Sequence, residues 1–105
     1  MMPTPRLEHW NANWGKITVR SMREHLESQG YSVVRYDYPP GTSFNNHSHE
    51  ADKKDAVVSG RFKICIEGND FFLDCGDMIE IPAGTVHSAE AIGDDTVVSL
   101  DATRG

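Results

Sequence analysis

Positive charge is scarce in these 105 residues: ten Lys and Arg stand against sixteen Asp and Glu, a formal net charge of −6 with histidines neutral. A phosphate backbone repels that balance and no Lys/Arg cluster offsets it, so nucleic acid is not an expected partner. Although 38% of residues are hydrophobic, no apolar run approaches the roughly 20 residues of a membrane span, and no membrane partner is expected. The start, Met1-Met2-Pro3-Thr4-Pro5-Arg6, has none of the apolar stretch of a secretory signal, so the expectation is a soluble, cytoplasmic protein. Cysteine is limited to Cys65 and Cys75, too few for a disulfide scaffold; without a CxxC pair they offer no thiolate metal site. Both are read as small hydrophobes in strands.

This length suits one domain, 1–105, with an N-terminal segment and short helix over 1–30 and a β-barrel over 31–101. Residues 1–16 are polar and irregular, with Trp10 and Trp14 expected to lie over the body of the domain rather than form a sticky patch. From Val19 to Gln29 the period is helical: Val19, Met22 and Leu26 recur on one face, and Gly30 is placed to end the helix. His25 falls on the polar side and is read as a solvated surface residue.

After Gly30 the period changes to two and stays there. Strands are expected at Tyr31–Tyr38, Thr42–His49, Ala56–Ser59, Arg61–Glu67, Asp70–Asp74, Met78–Ile81, Val86–Ile92 and Thr96–Asp101, with glycine-rich turns between them. Phe62, Ile64 and Ile66 share one face of their strand. About eight short, evenly spaced strands argue for an all-β antiparallel sandwich or barrel with one short N-terminal helix.

Three of the five histidines stand out. His47 and His49 are separated by one residue within an expected strand, which points both imidazoles to the same side. His87 starts another strand, after the turn Pro82-Ala83-Gly84. Imidazole suits first-row ions such as Zn, Cu, Fe and Ni, and three such ligands leave positions open for water or substrate. An HxH pair alone is more often incidental than metal-binding; the frame around it alters that balance. It runs Gly41, five residues, His47-Ser48-His49, ten residues, Gly60; then Gly76, five residues, Pro82-Ala83-Gly84, two residues, His87.

That frame resembles the two motifs of the cupin superfamily, with the short intermotif segment of its small bacterial members, and covers residues 39–91. The resemblance implies a conical antiparallel jelly-roll barrel that gathers the ligands of both motifs inside it. It also implies a homodimer and a small-molecule ligand or substrate, since cupins include dioxygenases, isomerases, epimerases, decarboxylases, storage proteins and sensor modules. On this reading His47, His49 and His87 hold one divalent transition metal (Fe, Mn, Ni, Zn or Cu).

Two positions depart from the motifs. Lys53 stands where a glutamate usually supplies a fourth ligand, and Ala91 stands where an asparagine usually follows the last histidine. A cation about 5 Å from a divalent ion, at an effective dielectric of about 20, is repelled by about 7 kcal/mol. Lys53 can therefore lose its proton, weaken the metal, or pair with Glu50, Asp52 or Asp55 and turn to water. As a catalytic candidate it anchors an anionic substrate or stabilises charge that develops in the reaction. Asp55 is the candidate for a replacement carboxylate, because it shares parity with His47 and His49 if the charged run Asp52-Lys53-Lys54-Asp55 leaves the strand unbroken. Glu80 and Glu90 are read as solvated. Tyr36, Tyr38, Phe44, Phe62, Phe71 and Phe72 are read as barrel lining and core. Two functions follow: a metal-dependent enzyme, dioxygenase-like (an oxidoreductase) or isomerase-like, or a non-catalytic binding or sensing module with weak or no metal.

Overall fold

The computed structural model describes residues 5–105. Among these residues nine strands, β1 (Arg6–His9), β2 (Ser32–Tyr38), β3 (Ser43–His47), β4 (Asp52–Ser59), β5 (Arg61–Ile66), β6 (Asn69–Leu73), β7 (Asp77–Ile81), β8 (His87–Ile92) and β9 (Val97–Arg104), accompany one α-helix, α1 (Val19–Ser28), and a single 3-10 turn at Ala12–Trp14. They form two antiparallel sheets, ordered β1-β7-β4-β9-β2 and β3-β8-β5-β6. This is the expected jelly roll. Period-two alternation gives each inner strand one face for the space between the sheets, and Val57, Phe62, Ile64, Ile66, Leu73, Ile79, Ile81 and Val97 fill it as a buried cluster.

The five-stranded sheet also buries its outer face. Met22 and Leu26 of α1, both fully buried, pack there on Ala56, Met78, Leu100 and Ala102. The helix starts at Thr18, whose hydroxyl accepts from the Ser21 N–H while the Ser21 hydroxyl accepts from the Thr18 N–H, each at 2.9 Å. That reciprocal cap satisfies two backbone donors the helix would otherwise leave free. With both faces covered, β4 and β9 are central strands, and every polar group on them needs a partner within the protein.

Several expectations need correction. Residues 6–9 form strand β1, antiparallel to β7. Cys75 is exposed and lies in the turn between β6 and β7, while Cys65 is half-buried in β5. His25 is not a solvated residue: only 17% of its side chain is exposed, and its ring stacks on Trp14 with centroids 4.5 Å apart. Trp10 packs against the outer core, whereas Trp14 keeps 44% of its surface exposed. Finally, the run Asp52-Lys53-Lys54-Asp55 does not break β4; the strand begins there.

Candidate metal centre

The histidines come from both motifs and from one edge of the four-stranded sheet. His47 ends β3, His87 opens β8, and the two are direct partners in the antiparallel ladder. His49 lies beyond the end of β3 in the following loop, so strand alternation is not what brings it alongside. A register shift between Phe44 and His47 turns the chain inward, and the Gly84 N–H donates to the His49 carbonyl at 2.8 Å, tying the loop to the Pro82-Ala83-Gly84 turn. Ring centroids are 4.2 Å apart for His47 and His87, 4.9 Å for His47 and His49, and 5.4 Å for His49 and His87.

Each imidazole offers one nitrogen, and those nitrogens all lie within 4.8 Å of one another. Nitrogens bound at about 2.1 Å to one tetrahedral ion are about 3.4 Å apart, so the widest pair needs to close by up to about 1.4 Å. Their protonation suits a ligand. The Nδ1–H of His47 donates to the Asn45 carbonyl at 2.7 Å, and that of His87 to the Thr85 carbonyl at 3.0 Å. A carbonyl only accepts, so in each neutral ring Nδ1 keeps the proton and Nε2 presents a lone pair. Burial, followed by the Lys53 and His47 charges, holds His49 below its ordinary value of 6.5. Burial also holds His87 low, against the Thr85 hydrogen bond and with the help of its two neighbours. Neutral rings are the form that binds metal.

A cavity of about 420 Å³ opens over this cluster. Tyr36, Tyr38, Phe44 and Phe62 make an apolar wall, and Lys53, Asp55, Ser99 and Asp101 make a polar one. Lys53 points into the barrel with 12% of its side chain exposed, and none of the three expected acids is its partner. Its Nζ donates to the Thr103 hydroxyl at 2.6 Å and lies 2.8 Å from Asp101 Oδ1. Asp55 also faces inward but lies outside the three-histidine cluster, so it is not brought in as a fourth ligand. Burial, then the charge of Asp101, pushes its carboxyl up to about 7. Burial and the same two acids push the Tyr38 phenol up to about 12.

Sequence reasoning missed Asp101 as a member of the site. The signal was the alternation in β9, where Ser99, Asp101 and Thr103 share one polar face of a strand whose other face holds Leu100 and Ala102. A central strand of this kind hides its polar face only by pairing it. Glu90 lies on the outer side, 3.6 Å from Lys63.

The profile of the cupin domain matches residues 34–103. The chain belongs to the cupin family. Among solved structures similar to this cupin, KdgF from Halomonas sp. is 29% identical, with a TM-score of 0.63 over 71% of this chain and 69% of that one. A structure from work on the DMSP lyases RdDddP and RnDddQII is 27% identical, with a TM-score of 0.65 over 73% of this chain but only 40% of that one. The conserved SPY1581 protein of Streptococcus pyogenes, of unknown function, is 22% identical with a TM-score of 0.64 over 70% of this chain and 63% of that one, a likeness of fold. The match thus spans less than two thirds of the SPY1581 and DMSP-lyase chains. No curated protein matches the sequence. No helix among the described residues is long and apolar enough to cross a membrane.

Proposed function

We propose that this cupin is a metal-dependent enzyme acting on a small organic anion, with His47, His49 and His87 holding one divalent first-row ion. One observation carries the reading: three imidazoles from two separate motifs converge with their nitrogens within 4.8 Å, two of them turned by backbone carbonyls to present Nε2. When bound, the ion supplies a Lewis acid at open positions, which polarises a substrate oxygen. The protein does the rest. The aromatic wall of Tyr36, Tyr38 and Phe44 accommodates the apolar part of a molecule that fits about 420 Å³ and excludes water from it. Lys53 uses one donor on Thr103 and lends its charge to Asp101, which leaves an N–H for an anionic substrate group.

The likeness to KdgF and to the DMSP-lyase structure, each above a quarter identical, supports small-molecule chemistry on this fold. The test is metal analysis of the purified protein against a His47→Ala/His49→Ala double variant. Wild type is expected to carry, or take up on reconstitution, close to one divalent ion per chain, and the double variant none. Equal, negligible metal in both after reconstitution overturns the proposal.

A further inference from the structure

We infer that Asp55 and Asp101 hold one proton between them on the cavity wall, and that this carboxyl pair is the proton donor and acceptor of the site. The two residues are direct partners across the β4–β9 ladder and both face the cavity. Side chains so placed have Cβ atoms about 4.5–5.5 Å apart, close enough for the carboxyl groups to meet, and two like charges there destabilise the sheet.

The charges around the pair determine which carboxyl keeps the proton. From β4, Lys53 approaches Asp101 at 2.8 Å. From β7, the residue opposite Asp55 is Ile79, which brings no charge. From β2 comes the Tyr38 phenol, which stays neutral, and across the cavity stand His47, His49 and His87, of which His49 and His87 are held low. Asp101 therefore has the cation in contact, whereas at Asp55 the Lys53 charge lowers the carboxyl by less than burial and Asp101 raise it. Asp101 Oδ1 is also buried and lacks an aligned hydrogen-bond donor, since the Lys53 approach is a charge contact rather than a directed bond. A proton carried by Asp55 answers both needs: it removes the uncompensated charge and gives Asp101 a donor. Two carboxylates, one shared proton and one ammonium sum to zero.

The balance of a turnover follows. Delivering the shared proton to one substrate atom leaves two carboxylates beside one ammonium; taking a proton from another substrate atom restores the starting state. No electrons are exchanged and no oxidant is needed, so the pair suits isomerisation by proton transfer. This deepens the metal-centre reading and depends on it only for what binds beside the pair.

Carbon-13 NMR titration of the aspartate carboxyls in metal-free protein tests the shared proton. One carboxyl of the wild type should titrate near neutrality. Asp55→Asn should leave none there, and Asp101→Asn should lower the Asp55 midpoint by about one unit, tenfold in proton affinity. Ordinary titration of both acids below about pH 5 in wild type overturns the proposal, as does an Asp55 midpoint unmoved by Asp101→Asn. Calorimetry of Zn²⁺ binding at pH 7 in buffers of different ionisation enthalpy tests the link to the site. A pair that keeps its proton beside the bound ion gives equal release in wild type and Asp55→Asn. Release of about half a proton more by wild type means that the ion expels the proton of Asp55, and overturns the donor and acceptor role. Failure of Zn²⁺ to bind at all instead strikes the metal-centre reading, and the metal-free titration still decides the proton.

Discussion

Lys53 stands opposite Thr103 in the β4–β9 ladder and donates to its hydroxyl at 2.6 Å, while Asp101, two residues earlier in β9, takes its charge at 2.8 Å. The lysine that replaces the motif glutamate is therefore held along the wall of the barrel by groups from β9. Its charge still reaches His49, where it is the largest influence after burial.

Removing that charge should act on the fold and the metal in opposite directions. Lys53→Gln leaves the half-buried Asp101 beside Asp55 without a cation, a loss expected to cost about 2 kcal/mol in urea unfolding of the metal-free protein. The same variant should bind Zn²⁺ more tightly, since the like charge is gone. Lys53→Glu adds a third carboxylate, so it should be less stable than Lys53→Gln without metal and gain most on adding it. A thermal shift with Zn²⁺ no larger in Lys53→Glu than in wild type would show that this position does not face the ion.

The pH dependence has two opposed parts. His49 and His87 are held below 6.5, so the native state refuses protons that the unfolded chain accepts, and this reduces stability as pH falls below about 6.5. Asp55 is raised to about 7 from an ordinary 3.8, so its contribution is fully present below the ordinary value and is lost as pH rises through 7. Asp55→Asn removes only the second part. Its stability relative to wild type should rise by about 2 kcal/mol between pH 5 and pH 8, measured by urea unfolding of the metal-free proteins at both values. A difference that does not change with pH means Asp55 is ionised throughout.

Strand periodicity exposed most of the barrel, because β5 and β9 alternate apolar with polar residues and glycine marks the turns between strands. It missed β1: Arg6, Leu7, Glu8 and His9 carry no apolar face, and even Leu7 is 41% exposed. It also left β4 uncertain at Asp52-Lys53-Lys54-Asp55. A charged central strand is legible only with its partners in view, and these lie far off in sequence. Lys53 and Asp55 meet Asp101 on the inner side, and Lys54 meets Glu8 and Gln29 on the outer. Parity put Asp55 on the side of the histidines although His47 and Asp55 belong to different sheets and the chain between them leaves the strand. The histidine spacing itself was legible as a motif; the turn that carries His49 inward beyond β3 was not.

Lys54 is 1% exposed, and its Nζ donates to Glu8 on β1 at 2.5 Å and to Gln29 at the end of α1 at 2.9 Å. Burial raises the Glu8 carboxyl, but the Lys54 hydrogen bond and charge, with His25, outweigh it and hold the group below its ordinary value. Glu8→Gln should therefore cost about 2 kcal/mol at pH 7, because it leaves an ammonium buried without its counter-charge. Replacing both partners, Glu8→Leu with Lys54→Met, should recover most of that loss. A double-mutant cycle by urea unfolding checks this, and a double variant no better than Glu8→Gln would show that packing, not charge, sets the cost.

Two glycines with nearly the same backbone angle separate strain from contact. Gly60 has φ +81° and Gly84 φ +80°. A Cβ at Gly84 meets open space, whereas one at Gly60 falls 2.6 Å from the Thr96 carbonyl oxygen and 2.8 Å from Val97 Cα. Left-handed backbone alone costs a non-glycine residue about 1 kcal/mol, and Gly84→Ala should lose about that much. Gly60→Ala must in addition push apart two backbone segments that no rotamer change can relieve, where β4 meets the start of β9 next to the irregular Val57–Ser59 pairing. It should lose at least about 3 kcal/mol in urea unfolding. Equal losses at the two positions would mean that the close approach of Val97 to Gly60 is not maintained in solution.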